Sequence, residues 1–218
     1  MPNGMNHSSV IVKEGIPFII PLGVATLIAL FLGPAWVTIL FVLLTLFVVW
    51  FFRNPERTFT DDNPLQLLSP ADGKVIRIEK VAGEERSGLS FLKISIFMNV
   101  FNVHVNRIPC SGEVSAIRYK PGKFLSANLD KASELNERNS VLMRMDDGRE
   151  IMIVQIAGLI ARRIVCWLKE GVKVKKGERF GLIRFGSRVE VFLPLGSTLL
   201  VKIGDKVRAG ETPIGELT

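Results

Sequence analysis

"GERFGLIRFGSRVEVFLP", Gly177–Pro194, holds two strand-like runs separated by the pair Gly186-Ser187. After the pair, Val189, Val191 and Leu193 alternate with Arg188, Glu190 and Phe192. Alternation with period two marks a strand with one buried face. A second pair, Gly196-Ser197, follows within a few residues. Gly allows positive φ and Ser bonds its own backbone, so either pair can be a plain turn. Either can also be a bond that the chain breaks in itself, because a Gly carbonyl is open to close approach by the next hydroxyl.

The same strand pattern runs outward from this stretch. "GKVIRIEKV" (Gly73–Val81) and "FLKISIFM" (Phe91–Met98) read as strands. "SVLMRMDDGREIMIVQIAG" (Ser140–Gly158) reads as a hairpin turning at Asp147-Gly148. "RIVCWLKEG" continues the series. Only "FLSANLDKASELNERNS" (Phe124–Ser140) has helical character, and it reads equally as an excursion loop. "GVKVKKGERFGLI" from Gly171 and "GDKVRAGETPIGEL" from Gly204 form a weak repeat, with "GEVSAIRYKPGKF" from Gly112 as a looser third copy. This spacing resembles the half-motifs of lipoyl- and biotinyl-type β-sandwich domains. The expected fold class is therefore mainly β, a turn-rich sandwich with quasi-symmetric halves.

The N-terminal part is different. From Ile16 to Phe52, 37 residues carry no Asp, Glu, Lys, Arg or His. One helix of that length would run about 55 Å, well beyond a hydrocarbon core of about 30 Å. Gly33-Pro34 divides the run into halves that each suit one crossing. The division predicts a tail over residues 1–15, a transmembrane helical hairpin over 16–52 and a catalytic or binding domain over 53–218. The run is too long for a signal peptide and lacks a clear small-x-small cleavage site. A buried core hairpin is the alternative. Lys13 precedes the run, and Arg53 and Arg57 follow it, which places both ends on the cytoplasmic side of the cell membrane.

Residues 53–218 hold 27 Lys and Arg against 20 Asp and Glu, the whole of the chain's net charge of +7. A basic domain tethered to a bilayer points to anionic lipid. Nucleic acid is disfavoured, because no basic stripe is interleaved with aromatics and the chain has one Tyr. Cys110 and Cys166 have no metal-ligand spacing and read as buried thiols.

The groups able to carry chemistry are few. Asp72 sits in "SPADGKV" (Ser69–Val75), where it also suits a turn. His104, in "FNVHVNR" (Phe101–Arg107), is the only His besides His7, and a core His is the bland alternative. These two stretches join "FFRNPER" (Phe51–Arg57), "KPGKF" (Lys120–Phe124), "ERN" (Glu137–Asn139) and the opening segment, in that order. Together they make the chain resemble the phosphatidylserine decarboxylase proenzymes, in particular their short, membrane-associated bacterial and archaeal form.

The resemblance implies a reaction. The Ser hydroxyl attacks the Gly carbonyl, and the amide becomes an ester. β-Elimination then cuts the chain and leaves a pyruvoyl group, with no metal or soluble cofactor needed. That ketone forms a Schiff base with the serine headgroup of phosphatidylserine and acts as electron sink while CO2 leaves. A hydroxyl needs a neighbouring base, and an Asp that orients an imidazole supplies one. On this resemblance the catalytic set is Ser187, Gly186, His104 and Asp72. The domain is cut into a beta chain, 1–186, and an alpha chain, 187–218, which stay together as a heterodimer, with room for a higher oligomer. Larger members carry a second His where this chain has Arg107, which leaves the proton relay open. Arg184 and Arg188 are candidates for the substrate phosphate, with solvated surface charges as the alternative.

By letters, "LGST" (Leu195–Thr198) matches the tetrapeptide cut in larger members. By context, Ser187 holds the place, since it follows "GERFGLI" and precedes an alternating strand ending in Pro. Three other readings stay open. One is a non-catalytic, membrane-anchored adaptor with lipoyl-like repeats, and another is a pyruvoyl decarboxylase of a soluble amino acid. The third keeps the chemistry but takes the isoprenoid-ether lipid archaetidylserine. Intact mass measurement separates the serines. Cutting before Ser187 yields a 32-residue piece, 187–218, blocked to Edman degradation, whereas cutting before Ser197 yields 22 residues, 197–218. A 22-residue piece would show the wrong serine was chosen.

Overall fold

A computed structural model describes residues 9–59, 63–82, 90–123, 135–158, 163–184 and 187–218. It divides into two units, Met1–Glu56 and Arg57–Thr218. The first is a helical hairpin, with α1 over Ile16–Leu32 and α2 over Ala35–Phe51. The break falls at Gly33-Pro34, where Pro34 is extended (ψ 151°) and starts α2 without needing an N–H partner. The Thr26 and Thr45 hydroxyls, 2.9 Å apart, tie the helices together. The chain closes on itself at the base: Val12 N donates to Phe52 O at 3.1 Å and Asn54 N to Val10 O at 2.7 Å. Arg53 and Asn54 thus pack with the hairpin, and the unit ends at Glu56 rather than Phe52. Phe31, Leu32 and Trp36 at its tip are exposed. Lys13–Leu32 is apolar and long enough to cross a bilayer, whereas α2, at 17 residues, reaches about 25 Å.

The second unit is mainly β. Its strands are β1 (Gln66–Leu68), β2 (Gly73–Ala82), β3 (Ser90–Met98), β4 (Val105–Arg107), β5 (Gly112–Lys120), β6 (Arg138–Arg144) and β7 (Glu150–Ala157). They continue with β8 (Ile164–Cys166), β9 (Lys173–Val174), β10 (Arg179–Ile183), β11 (Ser187–Pro194), β12 (Thr198–Leu199), β13 (Lys206–Val207) and β14 (Pro213–Glu216). The main sheet has eight strands, in the order β13-β2-β3-β11-β7-β6-β5-β9. Two three-stranded sheets, β1-β14-β12 and β4-β10-β8, accompany it. Every residue of the alternation Val189, Val191, Leu193 is fully buried in the core, with Ile94, Ile96, Val141, Met143, Ile151 and Ile153 from the neighbouring strands.

The order of the strands is palindromic. β4–β10 repeat the arrangement of β1–β3 followed by β11–β14, and the symmetry axis passes between β11 and β7. The hydrogen bonds repeat with it. Leu68 N donates to Pro109 O and Arg107 N to Pro70 O, each at 2.9 Å. Gly204 N reaches Val75 O and Gly171 N reaches Val114 O, each at 2.8 Å. Gly177 and Gly210 close equivalent turns at φ +81° and +72°, a conformation that favours glycine. The repeats from Gly171 and Gly204 are therefore real structural counterparts. The segment from Gly112 is not a third copy, because it is the counterpart of Gly73 at the start of β2. At both sites the backbone of the next strand leaves no room for a Cβ.

One connection differs between the halves. In the second half β6 turns into β7 through Asp147-Gly148, with Gly148 at φ +85°, as the sequence predicts. In the first half the equivalent turn, from β3 to β11, is opened. The chain leaves at Met98, builds the whole of β4–β10, and returns at Ser187. Met98 and Ser187 still face each other as register partners.

Other expectations fare unevenly. Residues 124–134 of the predicted helix or loop lie outside the described residues, and Arg138–Ser140 belong to β6. Cys110 is buried, and burial pushes its thiol up to about 12. Cys166 is only half-buried, since β8 lies in a small sheet rather than the main one. A methyl at Gly73 or Gly112 would sit 2.2 or 2.5 Å from a strand oxygen. Gly73→Ala and Gly112→Ala should each cost about 2 kcal/mol or more in a urea titration. An unchanged midpoint would contradict this packing.

Candidate active site

Ser187 opens β11, between Met98 of β3 and Ala157 of β7. It is fully buried, and its hydroxyl donates to Met98 Sδ at 3.3 Å. A thioether is a weak acceptor, so it orients the hydroxyl without holding it strongly. Gly186 lies outside the described residues. The end of β7 is held by Asn136 and Glu137: Ala157 N donates to Glu137 O at 3.0 Å, and Asn136 Nδ2 to Ala157 O at 2.7 Å.

His104 lies on the outgoing crossing, Asn99–His104, beside the end of β10. Pairing of β4 with β10 sets it there, and Ile183 N donates to His104 O at 3.4 Å. The crossing is internally braced. Asn99 N donates to Asn102 Oδ1, and Phe101 N to Asn99 Oδ1, each at 2.9 Å. His104 is buried, with Nδ1 3.0 Å from Asn102 O. A carbonyl only accepts, so Nδ1 carries the proton, and in the neutral ring Nε2 is the basic nitrogen. The bond that orients the imidazole at Nδ1 therefore comes from Asn102, where the sequence pattern suggested Asp72.

Asp72 ends the turn before β2, two strands from β11 at the same end of the main sheet. It is buried, and Arg57 holds it with two bonds, Nη1 to Oδ1 at 2.5 Å and Nη2 to Oδ2 at 2.8 Å. Ala209 N adds a third, to Oδ1, at 2.8 Å.

The two arginines beside the Gly-Ser pair differ from a solvated surface. Arg188 faces away from Ser187, because neighbours on a strand point to opposite faces. It is 3% exposed, with Nε 3.2 Å from Glu190 Oε1. Arg184 is half-buried, and its N donates to Arg163 O at 3.3 Å. Arg107, in the slot of the second His, braces the fold. Its Nη1 donates to Gly177 O at 2.8 Å, and its stem lies where a Cβ on Gly210 would go. Ser197 is held in a turn, with its hydroxyl donating to Pro194 O at 2.8 Å.

The sequence reading did not single out a row of buried amides under Ser187. Asn139 Nδ2 donates to Gln155 Oε1 at 3.1 Å, and Gln155 Nε2 to Asn106 Oδ1 at 2.9 Å. That fixes the Asn106 amide so that its NH2 group faces Met98 Sδ, 3.8 Å away. Asn139 belongs to the "ERN" stretch, and the only signal for Asn106 and Gln155 was a polar letter inside an apolar run, "VHVNRI" and "IVQIAG". Among the described residues no group of three His, Cys, Asp or Glu is placed to hold a metal ion.

Ser187 and His104 lie where one half of the β unit is inserted into the other, and comparison with known proteins bears on that place. A family model described as phosphatidylserine decarboxylase matches residues 44–215. A phosphatidylserine decarboxylase proenzyme of Syntrophus aciditrophicus is 60% identical over 212 residues, covering 97% of this chain and 99% of the relative. The proenzyme of Desulfotalea psychrophila is 50% identical, covering 95% and 96%. That of Rickettsia akari is 53% identical over 175 residues, covering 79% and 75%. The chain belongs to the phosphatidylserine decarboxylase family.

Proposed function

We infer that this chain is a proenzyme that cuts itself before Ser187 and decarboxylates phosphatidylserine to phosphatidylethanolamine. The observation that carries the reading is the opened turn. Ser187 and His104 sit on the two strands of chain that cross between the halves, and the cross-over bond is the one to be cut.

The self-cleavage uses this chain's own groups. Ser187 Oγ attacks the Gly186 carbonyl while His104 Nε2 takes the hydroxyl proton, and that proton passes to the departing amide nitrogen. The amide has become an ester. Removal of the Cα proton of residue 187 then expels the Gly186 carboxylate, which keeps the serine oxygen. Water replaces the amino group of the resulting dehydroalanine, and ammonia leaves. A pyruvoyl carbonyl at position 187 supplies the electron sink for loss of CO2. The site suits such a group: position 187 is fully buried, and Met98 offers a sulfur that tolerates either a hydroxyl or a methyl beside it. His104 is the group placed to return a proton to the carbon that loses CO2.

The same reading covers the rest of the chain. Residues 1–186 and 187–218 form the two subunits, held together by β11 between β3 and β7. The symmetric Gly-turn units support a lipoyl/biotinyl-like sandwich. The apolar hairpin, 16–52, enters an anionic membrane containing the substrate, with its basic flanks and the catalytic unit on the cytoplasmic side.

Three variants test this. Ser187→Ala should remain one chain with no decarboxylase activity. His104→Ala should lose at least about 100-fold in decarboxylation, the scale of a general acid or base. Full activity in His104→Ala, or normal processing in Ser187→Ala, would refute these roles. Deleting residues 1–52 should move the protein from the membrane fraction to the soluble one in high salt. Retention there would mean that the hairpin is not the main anchor.

A further inference from the structure

We propose that Arg57 is a positioning residue for the self-cleavage site, aiming one remaining lone pair of Asp72. This rests on the proposed function and on the place that the family resemblance gives Asp72 in the catalytic set with Ser187 and His104.

The internal symmetry supplies a control. The counterpart of Asp72 is Ser111, just before Gly112 as Asp72 is just before Gly73. Both side chains perform one structural duty. Lys176 N donates to Ser111 Oγ at 3.0 Å, and its counterpart Ala209 N donates to Asp72 Oδ1 at 2.8 Å. The surrounding backbone bonds match, through Val75 and Val114 and through Pro70 and Pro109. A neutral hydroxyl therefore meets the fold's demand at this place. In the half that contains Ser187, a carboxylate stands there instead, with a buried guanidinium against it.

That pair is costly to bury, and a hydroxyl would spare the cost. The side chains of Arg57 and Asp72 are 7% and 11% exposed. Arg57 Nη1 also donates to Ala209 O at 2.8 Å, which closes a ring with the Ala209 N–H and Asp72. Arg57 Nε lies 3.8 Å from Glu211 Oε1. The guanidinium is thus fixed on both edges, and it fixes the carboxylate in turn.

A carboxylate has about four acceptor positions. Arg57 Nη1 and Ala209 N occupy two on Oδ1, and Arg57 Nη2 occupies one on Oδ2. One is left, on Oδ2. Its direction is set by the planar fork of Arg57, which a lysine cannot reproduce. The Asp72 plane cannot rotate while the fork holds both oxygens. Arg57 touches none of the reacting atoms, so it acts through Asp72 alone.

Full-length variants test the assignment. Arg57→Met combined with Asp72→Ser reproduces the neutral arrangement around Ser111. It should fold, with a melting temperature close to the wild type, and remain a single chain. Arg57→Lys keeps the charge but loses the fork. It should fold and form the two chains on the order of 10-fold or more slowly, as misplaced groups do, with an altered pH profile of processing. A purely structural role would change the melting temperature and leave that profile alone. Processing at the wild-type rate in the double variant would overturn the proposal, as would an unchanged rate and profile in Arg57→Lys. Failure of the double variant to fold would also overturn it, since the fold would then require the ion pair. If the wild-type chain itself stays intact and inactive, the functional reading fails instead, and the outcomes are distinct.

Discussion

Antiparallel pairing of β7 with β11, from Ser187 opposite Ala157 to Phe192 opposite Met152, joins the two halves of the β unit. It makes one sheet out of two four-stranded sets, and it places the symmetry axis. The core on both sides of the axis depends on this register, since a slip by one residue would turn Val189, Val191 and Leu193 outward and bring Arg188 and Glu190 into the core. Pairing of β11 with β3 on its other side puts Ser187 beside Met98, at the point where the chain departs for the second half. The location of the site follows from the insertion. A tight turn has no room for chemistry, but the same turn pulled open leaves Ser187 paired with Met98 and places His104 on the chain that departs from Met98.

Polar groups in that place are matched to apolar surroundings. Asn106, Asn139 and Gln155 are buried and bonded in series, so each amide is forced into one orientation. Unmatched, such groups would cost about 1–3 kcal/mol each. Matched, they stiffen the floor under Ser187. Asp72 with Arg57, and Arg188 with Glu190, extend the same solution to charges.

Local order was legible in the sequence. Alternation gave β2, β3, β6, β7 and β11 to within a few residues, and Asp147-Gly148 marked its turn. The absence of charge from Ile16 to Phe52, broken at Gly33-Pro34, marked the two helices. Long-range side-chain geometry was not legible. Gln155 and Asn106 are 49 residues apart, and no spacing rule links them. Arg188 read either as a phosphate contact or as a solvated charge, and not as buried, because alternation says which face a residue takes but not whether that face is covered. The equivalence of Asp72 with Ser111 was hidden because the two share only Pro-x-x-Gly-x-Val, turn and strand letters too common to stand out. The "ERN" stretch stood out, and its work is structural: Glu137, with Asn136 beside it, pins the backbone of Ala157, and Asn139 bonds Gln155.

The insertion also sets a schedule for synthesis. β4–β10 are contiguous, so the inserted half can close while the ribosome is still adding residues. The outer half cannot, because β1 waits for β14, β2 waits for β13, and β3 and β7 present bare edges to each other until β11 arrives. Those strands come last, all from the final 32 residues of the chain. Ser187 acquires its neighbours only when β11 has emerged and paired with β3 and β7. A chain interrupted by early termination would leave the unpaired edges open to aggregation, and it would have no assembled bond to cut.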